Sequence, residues 1–176
     1  TDERARLSSN AFTRAGYTFA GWTIEPGGEA VYQNRAQYTM GAEASYTLYA
    51  VWSPTKYSII YHLNGGEISG NPAEYTIESE SFTLKNPVRA GYAFAGWTGT
   101  GLGGAESTVT VERGSTGNRT YTATWTANEN KIVFHANGGE GAMSEQIVRT
   151  GETAALSRNT FFRNGYKFAG WSESEG

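Results

Sequence analysis

The sequence predicts a mainly β protein, made of small α+β units repeated in tandem. A stretch of nine residues at 14–22, RAGYTFAGW, returns almost unchanged at 89–97 and at 163–171. Apolar and polar residues alternate on both sides of this nonapeptide, as they do in half-buried strands. Asn-Gly pairs, which favour tight turns between strands, follow two of the alternating segments. The fixed period marks a structural unit of roughly 70–75 residues, a size that folds with a small buried fraction.

The middle copy contains every segment of the unit. It covers 57–126 and includes an opening segment, the nonapeptide and a closing segment. The first unit, at 1–53, lacks the opening hairpin, and the third, at 131–176, lacks the closing strand. We therefore expect one complete repeat between two partial ones, in a fragment of a longer protein. The segments between units are short and polar, and Pro54 stiffens one of them, so a semi-rigid string is predicted.

The second and third units open with an alternating strand and a turn signal. In YSIIYHL at 57–63, every second residue from Tyr57 to Leu63 is apolar or aromatic, and these residues share one face. Asn64-Gly65 follows, a pair typical of type I′ turns because both central residues need a positive φ. The segment KIVFHANGG at 131–139 repeats the pattern. These features predict an opening β-hairpin.

The nonapeptide predicts a strand with a bulge. Tyr92 and Phe94 alternate onto one face, whereas Trp97 is an odd number of positions further on. A bulge at Ala95-Gly96 would bring Trp97 back to that face, because a bulge adds one residue to the strand. We therefore predict a common core in the middle unit, formed by Ile59, Tyr61, Tyr92, Phe94, Trp97 and Trp125.

Turns, strands and one short helix complete the predicted unit. Gly16, Gly91 and Gly165 occupy the place of turn residues just before the nonapeptide strand. The segments STVTVE at 107–112 and RTYTATW at 119–125 alternate and consist largely of strand-forming residues. A helix of one or two turns fits best at 78–85.

Composition excludes several classes of protein. The formal net charge is −3 and the pI is about 5.5, and Lys and Arg form no cluster, so no nucleic-acid partner is expected. The chain has no cysteine, which excludes disulfide scaffolds and cysteine-based zinc or redox sites. No apolar run approaches the ~18 residues of a transmembrane helix, so this segment is not expected to span a membrane.

The sequence offers weak candidates for chemistry. His62 and His135 lie near Glu67 and Glu140, and a His–Glu pair is suited to acid–base catalysis. No third polar partner recurs with them, and two histidines without a carboxylate cluster do not form a metal-ligand pattern. The glycine-rich GTGLGG at 99–104 lacks the Lys-Ser/Thr ending of a phosphate loop. We predict no enzyme and no catalytic, cofactor-binding or metal site.

The repeated aromatic residues admit two interpretations. They form either the core of each unit or a sugar-stacking platform on its surface. Aromatic side chains bury large areas and dominate small cores, and a repeated unit must repeat its core, so the core interpretation is favoured. Burial of Trp22, Trp97 and Trp171 separates the two, because a platform requires exposed, coplanar indoles.

The order of these motifs resembles a known family. The string R-x-G-Y-x-F-x-G-W, preceded by Asn-Gly-Gly and followed by YTLYAVW or RTYTATW, is similar to the Listeria–Bacteroides repeat, also called the internalin B-type B-repeat. The resemblance covers almost the whole chain. It implies tandem β-grasp, ubiquitin-like domains on large secreted or surface-attached bacterial proteins, with spacer and adhesion roles and no catalytic residues. Pro87 fits the family pattern, whereas Phe12 and Phe161 stand at that position in the outer copies.

These observations lead to a functional expectation. The chain is expected to be a non-enzymatic structural repeat that serves as a stalk or spacer at the bacterial cell surface or outside the cell. Any adhesion to a host or cell-wall glycan or protein is expected to be weak. The alternative is a glycan-binding module that uses exposed aromatic residues. Because the two chain ends hold complementary parts of one repeat, head-to-tail self-association is also expected.

Overall fold

Alternating segments and strand-forming residues give the described part of the chain an all-β structure. The computed structural model describes residues 4–41, 43 and 45–173, and these contain strands and no helix. The strands are β1 (Arg4–Arg6), β2 (Tyr17–Thr23), β3 (Gln37–Thr39), β4 (Tyr49–Pro54), β5 (Tyr57–His62), β6 (Glu74–Tyr75), β7 (Phe82–Thr83), β8 (Tyr92–Gly99), β9 (Thr110–Val111), β10 (Arg119–Ala127), β11 (Glu129–Ile132) and β12 (Gln146–Arg149).

The middle unit contains the largest sheet. Its four strands follow the order β6-β5-β10-β8, so the first and last strands of the unit, β5 and β10, are neighbours in its centre. These two strands are parallel, with Tyr121 opposite Tyr61, whereas β10 and β8 are antiparallel, with Ala123 opposite Trp97. The short strands β7 and β9 form a separate antiparallel pair. The sheet thus joins the two ends of the unit through long-range pairing.

The predicted bulge in the nonapeptide strand is present. Thr124 lies opposite Gly96 and Trp125 lies opposite Phe94, which leaves Ala95 as the extra residue of β8. Gly96 has a φ of 136°, and a Cβ added there would lie 2.8 Å from the backbone nitrogen of Glu106. Glycine therefore serves here both for its backbone conformation and for the close approach of a neighbouring chain segment.

The core lies on one face of this sheet, with Trp97 at its centre. Trp97 is 0% exposed, and its ring meets the Phe94 ring edge-on at a centroid distance of 5.5 Å. Its indole Nε1 is buried and has no hydrogen-bond partner within the described residues. The other buried hydrophobic residues are Ile59, Tyr75, Leu84, Val109, Val111, Tyr121 and Ala123. Tyr61, Phe94 and Trp125 pack against this cluster, so five of the six predicted core residues belong to it.

No helix forms at 78–85. The chain instead turns at Thr76–Ser79, where the Ser79 amide donates to the Thr76 carbonyl at 3.1 Å and the Ser79 hydroxyl accepts from the Thr76 amide at 2.9 Å. Phe82 then pairs with Val111 in β7 and β9. Hydroxyl side chains compete with helical hydrogen bonding, and burial of Phe82 favours the strand, so the helix prediction is wrong.

The Asn-Gly turn is present, but it does not close a hairpin. Asn64 and Gly65 have φ values of 50° and 84°, as a type I′ turn requires. After the turn, Glu67 pairs with Val88, and the antiparallel partner of β5 is the later strand β6. The predicted opening hairpin is therefore wrong in its pairing, although its turn is right.

The turn packs on the closing strand instead. The Asn64 side-chain amide donates to the Ala123 carbonyl at 2.9 Å, and the Trp125 indole donates to the Leu63 carbonyl at 3.0 Å. Gly66 lies directly against the Trp125 ring, where no β-carbon would fit. The Asn-Gly-Gly motif and the closing Trp thus form one contact.

The outer units reproduce parts of this arrangement. In the first unit β2 pairs with β4, and the same bulge lies between Phe19 and Gly21. In the third unit β11 pairs with β12, and the nonapeptide at 163–171 lies outside the assigned strands. Phe168 of this segment is 52% exposed, and the Phe134 and Trp171 rings beside it line an open cleft of about 980 Å³. In the middle unit the corresponding space, between the first strand and the nonapeptide strand, is occupied by β10.

Candidate functional site at the joints between units

The motif Arg-x-Gly-Tyr forms the same turn in all three units. The tyrosine amide donates to the arginine carbonyl at 3.0 Å in the first unit and at 3.1 Å in the other two. The glycines Gly16, Gly91 and Gly165 have φ values of 76°, 78° and 75°. A positive φ at the third position alone fits a type II turn, so the predicted role of these glycines is confirmed.

Each arginine of this turn lies over the ring of its own tyrosine. The guanidinium carbon is 3.8 Å from the ring centroid of Tyr17, 3.7 Å from that of Tyr92 and 4.2 Å from that of Tyr166. These distances are typical of cation–π interaction. The arginine therefore orients the tyrosine ring and keeps it beside the turn.

The first of these turns contacts the middle unit. The Thr55 amide, in the segment between the two units, donates to the Gly16 carbonyl at 2.9 Å. Ile77 packs on the bare face of Gly16, where an added Cβ would lie 2.5 Å from Ile77 Cδ1. The Tyr17 hydroxyl donates to the Glu78 carboxylate at 2.7 Å, and this hydrogen bond raises the pKa of Tyr17. One turn thus makes backbone, packing and side-chain contacts to the next unit.

The second turn contacts the third unit in the same way. The Asn128 amide donates to the Gly91 carbonyl at 2.9 Å. Thr150 packs on Gly91, where an added Cβ would lie 2.5 Å from Thr150 Cγ2. The Tyr92 hydroxyl donates to the Thr150 carbonyl at 3.5 Å, and the Asn130 side chain donates to the Thr150 hydroxyl at 3.0 Å. The two joints therefore use corresponding positions of successive units.

Tyr92 belongs to this joint rather than to the core, which corrects the prediction. It is the first residue of β8 and lies opposite Ala127, beyond Trp125 on the closing strand. Alternation assigns Tyr92 to the same face as Phe94, but only β8 and β10 remain paired at that level, because the pairing of β10 with β5 ends at Thr122. Tyr92 therefore extends past the core to the next unit.

Ile77 and Thr150 are the functional residues that sequence reasoning missed. One side chain is apolar and the other carries a hydroxyl, so a comparison of residue types between the units does not identify the two positions as equivalent. Their signal is positional, because each follows its linker residue, Thr55 or Asn128, at the same distance along the chain. Both are also β-branched, which suits close packing on an exposed glycine.

The third turn has no such neighbour among the described residues. A Cβ added at Gly165 would meet nothing within 4 Å, and Tyr166 is 68% exposed. Tyr17 and Tyr92 are half-buried by contrast. The same motif is thus covered at two joints and open at the third position.

Comparison with known proteins connects these turns to a family. The sequence profile of the Listeria–Bacteroides repeat domain matches residues 1–51, 57–124 and 131–176. The chain belongs to the Listeria–Bacteroides repeat family. This is a structural, non-catalytic type of repeat, and it occurs here three times in tandem.

Two curated relatives, both from Evansella cellulosilytica, contain similar sequence. One is named "Putative Gly-rich membrane protein" and is 31% identical over 169 residues, which cover 94% of this chain and 19% of that protein. The other is named "Putative membrane protein" and is 28% identical over 169 residues, which cover 90% of this chain and 24% of that protein. The chain thus spans about a quarter or less of each relative. No solved structure matches it.

The two histidines of the Listeria–Bacteroides repeats form no His–Glu pair among the described residues. His62 and His135 are exposed, and the nearby Glu67 and Glu140 pair through their backbones with Val88 and Phe162. In the described ranges no hydrogen bond or ion pair joins either histidine to a glutamate, and no three His, Asp or Glu residues cluster as metal ligands do. Within those ranges no helix has the length and apolar character needed to cross a bilayer.

The tryptophan that ends each nonapeptide packs edge-on against the phenylalanine three residues before it. The centroid distances are 5.0 Å for Phe19–Trp22, 5.5 Å for Phe94–Trp97 and 4.9 Å for Phe168–Trp171, with interplanar angles of 66–69°. Trp97 is fully buried, and Trp22 and Trp171 are half-buried. This burial favours a packing role over a flat sugar-stacking platform.

Proposed function

We propose that the chain is a non-enzymatic spacer of a large bacterial cell-envelope protein, in which successive repeats are held in a fixed relation to one another. The observation that carries this proposal is the repetition of one joint. Gly16 and Gly91 accept the same backbone hydrogen bond and carry the same kind of packing contact to the following unit. A flexible linker would need neither, and a semi-rigid spacer needs both.

The joint is suited to a spacer because it restricts motion close to the linker. The strand pairing of the first and middle units continues up to the linker, with Tyr17 opposite Pro54 and Tyr92 opposite Ala127. The linker residue that follows then donates to the glycine carbonyl of the same turn. Few backbone angles remain free between two units, so the orientation of each unit is fixed relative to the unit before it.

The cellular location is proposed from the family and the relatives. Both relatives are named as membrane proteins, and each is more than four times as long as the aligned part. The family resemblance implies surface-attached or secreted proteins with spacer and adhesion roles. We place this segment outside the cytoplasmic membrane, with any adhesive contact weak and secondary.

We also propose a β-grasp topology for the complete repeat. The middle unit places its first and last strands side by side and parallel, each with an antiparallel neighbour on its outer side. This arrangement supports the β-grasp, ubiquitin-like topology that the family resemblance implies. The complete repeat at 57–126 would then be one such domain, between the partial repeats at 1–53 and 131–176.

Small-angle scattering and surface labelling test the proposal. The spacer predicts an elongated particle whose longest dimension is unchanged by salt, because the joints depend on packing and hydrogen bonds rather than on ion pairs. Antibodies against the chain should label intact cells of the source bacterium. A compact or salt-dependent particle would contradict the spacer, and labelling only after permeabilisation would contradict the location.

A further inference from the structure

The open turn of the third unit has the same internal contacts as the two occupied turns. Its tyrosine amide donates to the Arg163 carbonyl at 3.1 Å, Gly165 has a φ of 75°, and Arg163 lies 4.2 Å from the Tyr166 ring. The turn is therefore already in the conformation of the two joints. It differs in that Tyr166 is 68% exposed, the face of Gly165 meets none of the described residues, and no assigned strand pairs with Tyr166 in the described part of the chain.

We propose that the turn at 163–166 is a docking site for another Listeria–Bacteroides repeat, through the linker before that repeat and the segment that follows its second strand. The occupant is defined by what the two joints share. It brings a linker amide to the Gly165 carbonyl, a β-branched side chain to the bare glycine face and a hydrogen-bond acceptor to the Tyr166 hydroxyl. The inference rests on the proposed spacer function and extends it to a specific recognition surface.

The chemistry of the site explains why another repeat is the partner it fits. Of the three contacts, the backbone hydrogen bond does not depend on side-chain identity, since Thr55 and Asn128 make it equally. The packing contact accepts Ile77 or Thr150, and the acceptor is a carboxylate in one joint and a carbonyl in the other. Such a surface recognises the backbone arrangement of the docking segments rather than their side chains. Another unit of the same repeat family has this backbone arrangement.

The position of the site favours an occupant on the same chain. At both joints the closing strand of a unit ends opposite the tyrosine of the turn and leads directly into the linker that docks. The following unit is thus delivered at a high effective concentration, so weak contacts suffice to hold it. Docking at Gly165 should accordingly accompany completion of the third unit by a closing strand.

The test is a chain extended by one unit. Continuing after Gly176 with a second copy of residues 103–176 supplies the third unit with a closing strand and places a fourth unit behind it. Because the protein has no cysteine, spin labels can be placed at Ser144→Cys in the third unit and in its second copy in the fourth. Pulsed electron spin resonance then gives the distribution of distances between these units.

The proposal predicts a narrow distribution in the extended chain and a broad one after Gly165→Ala. In the original chain Gly165→Ala should leave the distance between the middle and third units unchanged. Gly91→Ala is the matched substitution at an occupied joint, because both glycines have nearly the same φ but an added Cβ meets Thr150 at Gly91 alone. It should broaden the distribution between the middle and third units.

A second variant separates docking from local strain. Thr150→Ala in the second copy removes the atoms that an added Cβ would meet, and it should restore a narrow distribution to extended Gly165→Ala. Strain at positive φ would not be relieved in this way. A broad distribution in the unsubstituted extended chain, or no effect of Gly165→Ala there, would overturn the proposal. If the distance across Gly91 is also broad, the spacer function fails as well.

Discussion

Trp97 is the residue on which the middle unit depends most. It is fully buried and contacts aromatic residues of three strands, Tyr61, Phe94 and Tyr121. We expect Trp97→Ala to lower the free energy of unfolding by about 3–5 kcal/mol, because truncation of a buried aromatic residue leaves a cavity. Urea denaturation of the whole chain measures this loss. Trp171→Ala, at a half-buried equivalent position, should cost less. Equal costs, or a change below about 1 kcal/mol for Trp97→Ala, would contradict this core.

Tyr61 predicts how stability depends on alkaline pH. Burial and the nearby Tyr121 raise the pKa of Tyr61 to about 12, and its hydroxyl donates to the Pro72 carbonyl at 2.9 Å. The unfolded tyrosine ionises near pH 10, so its stabilising effect is complete below that pH and is lost as pH rises towards 12. Thermal melting between pH 8 and 11.5 should show this decline, and Tyr61→Phe should make it shallower. An identical slope in the variant would refute the assignment.

The sequence predicts residues well where one local rule decides their place. The odd spacing of Phe94 and Trp97 predicts the bulge correctly, because a buried face and an extra residue are both local constraints. The same alternation misplaces Tyr92, because the end of a sheet depends on where its partner strand leaves. Ile77 and Thr150 are unpredictable as site residues, since their role comes from a neighbouring unit and not from their own chemistry.

At the scale of elements, the bulge in β8 predicts a strict need for glycine. At Gly96 the φ of 136° disfavours other residues, and an added Cβ would lie 2.8 Å from a backbone nitrogen. We expect Gly96→Ala to lower stability by about 1–3 kcal/mol through strain and overpacking. Gly103→Ala is the control, because nothing lies within 4 Å of its Cβ position and its φ is not positive. Denaturation curves that coincide for the two variants would contradict this account of the bulge.

Elements are predicted unevenly, for a physical reason. Asn64-Gly65 correctly predicts positive φ at both residues, which is a local property. The pairing after the turn is not local, because Glu67 finds Val88 and the turn itself packs on Trp125. At 78–85 the burial of Phe82 against β9 outweighs a weak helical tendency. The sequence thus predicts the local conformation of these segments. Which segments they pair with depends on tertiary contacts.

At the scale of the whole molecule, the uncovered third unit predicts self-association. The cleft lined by Phe134, Phe168 and Trp171 is open at the place where β10 lies between β5 and β8 in the middle unit. Exposed apolar surface and unpaired strand edges favour pairing with another molecule. Head-to-tail pairing is heterologous and builds open chains. Light scattering should therefore show a mass that grows with concentration, and Phe168→Ser should reduce this growth. A mass that is constant and monomeric across the series would contradict the prediction.

The joints determine the arrangement of the whole molecule, because the orientation of each unit depends on its contacts with the Arg-x-Gly-Tyr turn of the preceding unit. The distance between spin labels at Ser107→Cys in the middle unit and Ser144→Cys in the third tests this most directly, because both positions are exposed and the joint at Gly91 lies between their units. The account predicts one narrow distance distribution, broadened by Gly91→Ala and unaffected by Gly165→Ala. A broad distribution in the unsubstituted chain, or equal widths in the two variants, would contradict a spacer with fixed joints.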